Sequence, residues 1–300
     1  MLQCLNVPHV DQPNRRDQEP MKTIFSLFLT IPVLLTGQTA AAAGAGGGAK
    51  GARLAPYVAV YDLRLLRARR ASGIVSANGR IVSTLEGGCE GWGSQTRMVV
   101  DYVFRRRGEK LSDSRNTSWE AADGSAFRYT ASRRVNGVVE SETRLTASRG
   151  GTGARAAVKV RFALPRRKVM ELPEGTLFPQ QATKALIKAA LAGKQRFRYM
   201  GYEGFENGRA RLVTAVIGAP DNRPKPEKLK SLRAWPVALA YYPAMKNGLM
   251  SQASFGLPEY EMSFRLFENG VIDRVTLRFA NFTLTGRLAR LELKKPPACP

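Results

Sequence analysis

The residue types that carry most enzymatic chemistry are scarce in this 300-residue chain, which has one histidine, His9, and three cysteines, Cys4, Cys89 and Cys299. His9 and Cys4 both fall in a segment read below as removable. Without it no histidine remains, which excludes Ser-His-Asp, Cys-His and most zinc-site chemistry. A carboxylate pair can hydrolyse glycosides without histidine, and Asp101, Asp113, Asp123, Glu203 and Glu206 are candidates only in being acidic. Against 47 Lys and Arg the chain sets 24 Asp and Glu, so such acids are expected to offset neighbouring bases. No Gly-rich phosphate loop, Gly-x-Ser-x-Gly elbow or calcium loop is present. The expectation is a non-catalytic protein with no cofactor and no metal site.

Cys89 and Cys299 are far apart, form no Cys-x-x-Cys motif and have no histidine beside them, which makes a poor redox or zinc site. In an oxidising compartment such a pair is expected to form a structural disulfide, two free buried thiols being the alternative. The formal charge of +23 survives loss of the leader, because Arg15, Arg16 and Lys22 are offset by Asp11, Asp17 and Glu19. Such an excess suits nucleic acid in a cytoplasmic protein, a partner that export excludes. The expected partners are instead an anionic lipid, a lipoprotein or another envelope protein. Arg105, Arg106, Arg107, Arg166, Arg167 and Lys168 are the candidate anionic contacts, with plain solvated loops as the alternative. Tyr57, Tyr61, Trp92, Trp119, Trp235 and Phe264 are candidates for lining an apolar cleft, with ordinary core packing as the alternative.

The leader reading rests on Met21-Lys22, an apolar run from Ile24 to Leu35, and small residues from Thr39 to Gly44, the pattern of a secretory signal peptide. The run is shorter than the roughly 20 apolar residues of a membrane-crossing helix, and Pro32 interrupts it. Cleavage is expected near Ala41 to Ala43, giving a periplasmic product that does not span the membrane. No cysteine follows closely enough for lipid attachment. Residues 1–20 read as an extension upstream of a start at Met21, 21–43 as the signal peptide, 44–53 as a flexible Gly/Ala remnant and 54–300 as a single β domain.

Positioning falls to strands. Tyr57, Ala59, Tyr61, Leu63 and Leu65 alternate with other residues at period two, predicting a strand over 56–67. Six pairs that favour two-residue hairpin turns follow: Asn78-Gly79, Asp123-Gly124, Asn136-Gly137, Asn207-Gly208, Asn247-Gly248 and Asn269-Gly270. They predict antiparallel meanders, the clearest running from Tyr260 to Phe267, through Val275, Leu277 and Phe279, then Phe282 and Leu284. Leu288, Leu291 and Leu293 continue out of phase, predicting a bulge. One stretch, Pro179 to Gly193, has proline in its first turn, helix formers throughout and glycine at its end. It predicts a helix buried through Ala182, Leu186, Ala189 and Ala190. Residues 164–179 and 220–226 are expected to be connections, the second an exposed basic loop.

Several stretches together resemble the EipB family of periplasmic cell-envelope integrity proteins. They are Leu54-Ala55-Pro56 with Val60-Tyr61-Asp62-Leu63; Ser72-Gly73-Ile74-Val75 with Asn78-Gly79; Gly87-Gly88-Cys89-Glu90-Gly91; and Leu172-Pro173-Glu174-Gly175-Thr176-Leu177-Phe178-Pro179. Trp235-Pro236, Phe264 to Gly270, Arg290 to Leu293 and Pro297 to Pro300 complete the set, in an order spanning nearly all of residues 54–300. The resemblance implies an open, spiral-like antiparallel β barrel around one internal α-helix, a disulfide between Cys89 and Cys299, and a role in envelope integrity without catalysis. It also implies a histidine soon after the Phe178-Pro179 step, where this chain has Ala182.

Overall fold

The computed structural model describes residues 52–150, 156–204, 209–243, 256–296 and 298. The expected extension, signal peptide and most of the Gly/Ala remnant lie outside the described residues, as do Glu206, Asn207-Gly208, Asn247-Gly248 and Cys299.

The first half of the chain is a run of hairpins: β1 (Tyr57–Ala68), β2 (Ile74–Gly87), β3 (Gly91–Phe104), β4 (Gly108–Ala121), β5 (Ala126–Val135), β6 (Val138–Arg149), β7 (Val158–Leu164) and β8 (Lys168–Leu172). A helix, α1 (Pro179–Leu191), follows. The second half repeats the pattern with β9 (Arg196–Gly201), β10 (Arg211–Ile217), β11 (Ala234–Pro243), β12 (Tyr260–Phe267), β13 (Ile272–Phe279) and β14 (Phe282–Leu293). All fourteen strands join one sheet in the order β8-β7-β6-β5-β4-β3-β2-β1-β14-β13-β12-β11-β10-β9. Two meanders thus spread outward from a seam where the first described strand pairs with the last, Tyr57 opposite Leu293.

The protein is mainly β, and the sheet curls without closing. Flat, fourteen strands at about 4.8 Å spacing would hold β8 and β9 roughly 60 Å apart. Leu177 forms a bridge to Gly201 at the end of β9. It stands only a few residues beyond Leu172, the end of β8, a span of about 18 Å at full extension. The two edges therefore approach each other, and α1 occupies the concave side. Residues at period two point inward along most strands, as in β1, where Tyr57, Ala59, Tyr61 and Leu63 are buried. The predicted bulge is present: Val60 pairs with Arg290 and Tyr61 with Leu288, leaving Ala289 unmatched.

The turn reading holds at Asn136-Gly137, where both residues have positive φ, 50° and 83°, as a two-residue hairpin of this twist requires. Asp123-Gly124 and Asn269-Gly270 also join consecutive strands. Asn78-Gly79 does not. It lies inside β2, where Asn78 and Gly79 pair with Arg64 and Leu63 of β1 on one side and with Asp101 and Val100 of β3 on the other. A Cβ at Gly79 would stand 2.3 Å from the Val99 carbonyl oxygen, so this glycine serves close strand approach rather than a turn. Residues 164–179 are not purely a connection either, because they contain β8. This short edge strand pairs only with β7 and buries only Leu172, leaving no period to read.

Helix α1 follows the prediction at both ends and along its face. Ala182, Leu186, Ala189 and Ala190 are buried, joined by Gln180, Thr183 and Ile187. Gly193 ends it with φ of 70°. It packs into the larger of two apolar clusters, with residues of β1–β3 and β9–β14. The smaller cluster gathers Phe127, Tyr129, Leu145, Val160 and Phe162 of β5–β7 around Phe178 and Tyr202.

Candidate functional site

Between these two clusters the concave face is polar. β4 turns Ser112, Ser114, Asn116, Ser118 and Glu120 inward, each no more than 5% exposed. Register sets Ser94 and Thr96 of β3 opposite Ser118 and Asn116, and Thr96 Oγ1 donates to Ser83 Oγ of β2 at 3.5 Å. On the other side Arg133 of β5, opposite Ser114, is 5% exposed and pairs with Glu140 at 3.0 Å. The Ser114 hydroxyl has no hydrogen-bond partner. Buried hydroxyls and amides ordinarily find partners, so this strip is hydrogen-bonding surface held inside the fold.

At one end the strip latches the helix. A helix start leaves backbone N–H groups without acceptors, and here the N-cap position is Phe178, whose side chain makes no cap. Pro179 has no N–H to satisfy. Glu120, about 60 positions upstream, takes the cap role: the Gln180 and Gln181 N–H groups donate to its two carboxylate oxygens at 2.7 and 2.9 Å. The Phe178 N–H donates to Gln181 Oε1 at 3.2 Å, the reciprocal half of a capping box. Burial drives the Glu120 pKa up to about 7, although the two N–H donors and the nearby Lys184 and Arg149 oppose the shift.

Arg149 of β6 secures the chain leading into the helix. It donates to the carbonyl oxygens of Gly124 at 3.2 Å, Ala156 at 3.1 Å and Thr176 at 3.0 Å, and its guanidinium stacks over Phe178 at 5.5 Å. Phe178 in turn stacks on Phe127 with ring centres 5.0 Å apart. Farther along, Lys184 sits over the Trp92 ring at 5.4 Å. With both oxygens occupied, Glu120 positions the helix instead of presenting a free general acid or base.

The structure separates the six aromatic candidates. Tyr57, Tyr61, Trp235 and Phe264 are at most 3% exposed and lie in the larger cluster, with Trp92 packed against it. Trp119 sits between the inward-facing Ser118 and Glu120 on β4, and carries Arg128 over its ring at 5.0 Å. The candidate cations divide as well. Arg105 to Arg107 join β3 to β4, while Arg166 and Arg167 join β7 to β8, of which Lys168 is the first residue; all six are exposed. Pairing of Leu164 with Arg144, Arg144 with Thr130, and Thr130 with Thr117 staggers the second hairpin end by about 30 Å along the strands at 3.4 Å per residue.

Among the candidate acids, Asp113 is bound by Arg97 and Arg115 at 2.9 and 3.0 Å. Asp123 accepts the Ser125 N–H at 2.9 Å. Glu203 accepts the Tyr260 hydroxyl at 3.3 Å, and burial raises its pKa against the opposing charge of Arg211. Cys89 Sγ lies 3.8 Å from the carbonyl oxygen of Ala298, the residue before Cys299. Sequence reasoning missed Glu120, Arg149 and the serines of β4. The signal was present in the alternation Ser112, Ser114, Asn116, Ser118, Glu120, which is period two without apolar residues.

A family model described as EipB-like matches residues 48–295. The chain belongs to the EipB-like family. It is 29% identical over 277 residues to the cell envelope integrity protein EipB of Brucella abortus (strain 2308), covering 89% of this chain and 95% of that protein. A crystal structure of a β-barrel-like protein of a domain of unknown function, also from Brucella abortus, superposes with a TM-score of 0.72 at 28% identity, over 81% of this chain and 99% of the other. Among the described residues no helix is long and apolar enough to cross a membrane.

Proposed function

We propose that this EipB-like protein is exported to the periplasm through residues 21–43 and supports cell-envelope integrity as a non-catalytic binding module. Its ligand is a lipid, a lipoprotein segment or an envelope protein. The observation carrying this reading is the polar strip of β4, a buried row of hydrogen-bonding groups with apolar clusters on either side. Amphiphiles and extended peptides present the same alternation of polar and apolar surface. Residues 54–300 act as one β-spiral domain, closed by a disulfide between Cys89 and Cys299, a pairing supported by the approach of Cys89 to Ala298. The relative named for envelope integrity supports the cellular role.

Survival of a deletion strain on a membrane-perturbing detergent tests the reading, with the gene restored either intact or without residues 21–43. Rescue by the intact copy alone is expected; equal rescue by the leaderless copy, or no sensitivity, refutes it. A second reading, a structural adaptor working through basic surface, draws on the exposed arginines of the β3–β4 and β7–β8 hairpins. Charge reversal there should abolish rescue under that reading and leave it intact under the first.

A further inference from the structure

The convex side of β10–β13 carries a feature that neither the latch nor the strip explains. A hollow of about 350 Å³ opens there, lined by Arg265, Arg223, Arg274, Val216, Pro236 and Ala238 among others. It adjoins a second hollow of about 290 Å³ that shares Val216 and Ala238 and continues past Ala240. Val216 is 60% exposed, and Ala238 is exposed too, whereas their neighbours Ala215, Ile217, Val237 and Leu239 point into the core. The floor of the first hollow is thus apolar on β10 and β11, through Val216, Pro236 and Ala238, where a solvated sheet would carry polar side chains, and is completed by Ser263 of β12. The second hollow is more polar, with Thr214, Glu261, Thr276 and Arg278 in its lining.

The closed end of the hollow is an arginine cluster. Arg265, on β12, is 2% exposed. Its guanidinium donates to Asp273 at 2.7 Å and to the Pro224 carbonyl at 3.0 Å, and stands 3.8 Å from Asp221, yet its Nε has no hydrogen-bond partner. Arg223 pairs with Asp221 at 2.6 Å, a contact that lowers the Asp221 pKa to about 2. The 220–226 loop, expected from sequence to be exposed, is therefore pinned by a buried carboxylate. Arg274 is 51% exposed, only 3.9 Å from Asp273, and holds a left-handed φ of 55°. Three guanidiniums face two carboxylates, leaving one positive charge over and one buried N–H unmatched.

We propose that this outer hollow binds an anionic phospholipid, its phosphate on the surplus positive charge of Arg265, Arg223 and Arg274 and its acyl portion along Val216, Pro236 and Ala238. Arginine suits phosphate through several directed donors, and the exposed apolar floor accounts for a lipid over free phosphate. The site lies outside the interior strip and stands independently of the function proposed above.

Calorimetric titration of protein purified as the full chain tests this with dihexanoyl phosphatidic acid below its micelle concentration. One-site saturable binding is expected, about tenfold tighter than for inorganic phosphate or dihexanoyl phosphatidylcholine. Arg274→Asn, whose new side chain tolerates the left-handed backbone, and Ala238→Trp, which fills the floor, should each weaken it about tenfold with the circular dichroism spectrum kept. Absence of saturable binding overturns the proposal. Equal binding of inorganic phosphate removes the floor from it, equal binding of phosphatidylcholine removes the arginines, and undiminished binding by either variant overturns it too.

Discussion

The inward faces of β4 and of β12–β13 obey the same alternation in the same sheet and do opposite things. β12 and β13 turn Met262, Phe264, Leu266, Val275 and Leu277 inward, all at most 4% exposed. β4 turns in Ser112, Ser114, Asn116, Ser118 and Glu120, buried to the same degree. Backbone geometry thus fixes which residues face inside, while side-chain chemistry decides whether the inside is an apolar core or a polar lining. Stability resides in the first region; the second carries hydrogen-bonding capacity and one helix latch.

Substitutions can sharpen that contrast. Phe264→Ala, in the apolar face, should cost about 3–5 kcal/mol of unfolding free energy, measured by urea denaturation; a cost below about 1 kcal/mol would mean that this face is not the stabilising one. Glu120→Ala should cost about 2–3 kcal/mol, because two backbone donors at the start of α1 lose their acceptor.

The pH dependence of the same latch is more diagnostic. A carboxyl whose folded pKa is raised holds its proton more tightly folded than unfolded, so its contribution is fully present below about 4.5 and is lost as pH rises through about 7. Stability attributable to Glu120 should therefore decline between those values, and Glu120→Gln should flatten the decline. A Gln variant with the wild-type profile would place the titration elsewhere. Smallest of all, Ser114→Ala removes a buried hydroxyl with no partner and should be neutral or stabilising by up to about 1 kcal/mol. A clear loss of stability would instead reveal a bond that the strip depends on.

Much of the fold was legible because its signals are local. β1, the last meander with its bulge, and α1 with Pro179 and Gly193 each announce themselves within a dozen or so residues. Asn78-Gly79 misled because glycine answers two needs, a positive φ and a close approach, and only the partner strand reveals which applies. β8 was missed because an edge strand of five residues burying only Leu172 has no pattern. The latch was illegible for a different reason: Glu120 caps a helix that begins 59 positions later, and nothing near either residue advertises the other. Asp221 and Arg265 are separated in the same way, so a loop rich in charge read as solvent-facing although its carboxylate is buried.

The seam between β1 and β14 has a consequence for assembly. Because strand Tyr57–Ala68 closes on strand Phe282–Leu293, the first hairpins to emerge during synthesis must keep one ladder edge open until nearly the whole chain is available. Contacts of such sequence separation slow folding and prolong exposure of an unpaired edge. The ladder that locks the two halves together cannot form until strand Phe282–Leu293 has been made.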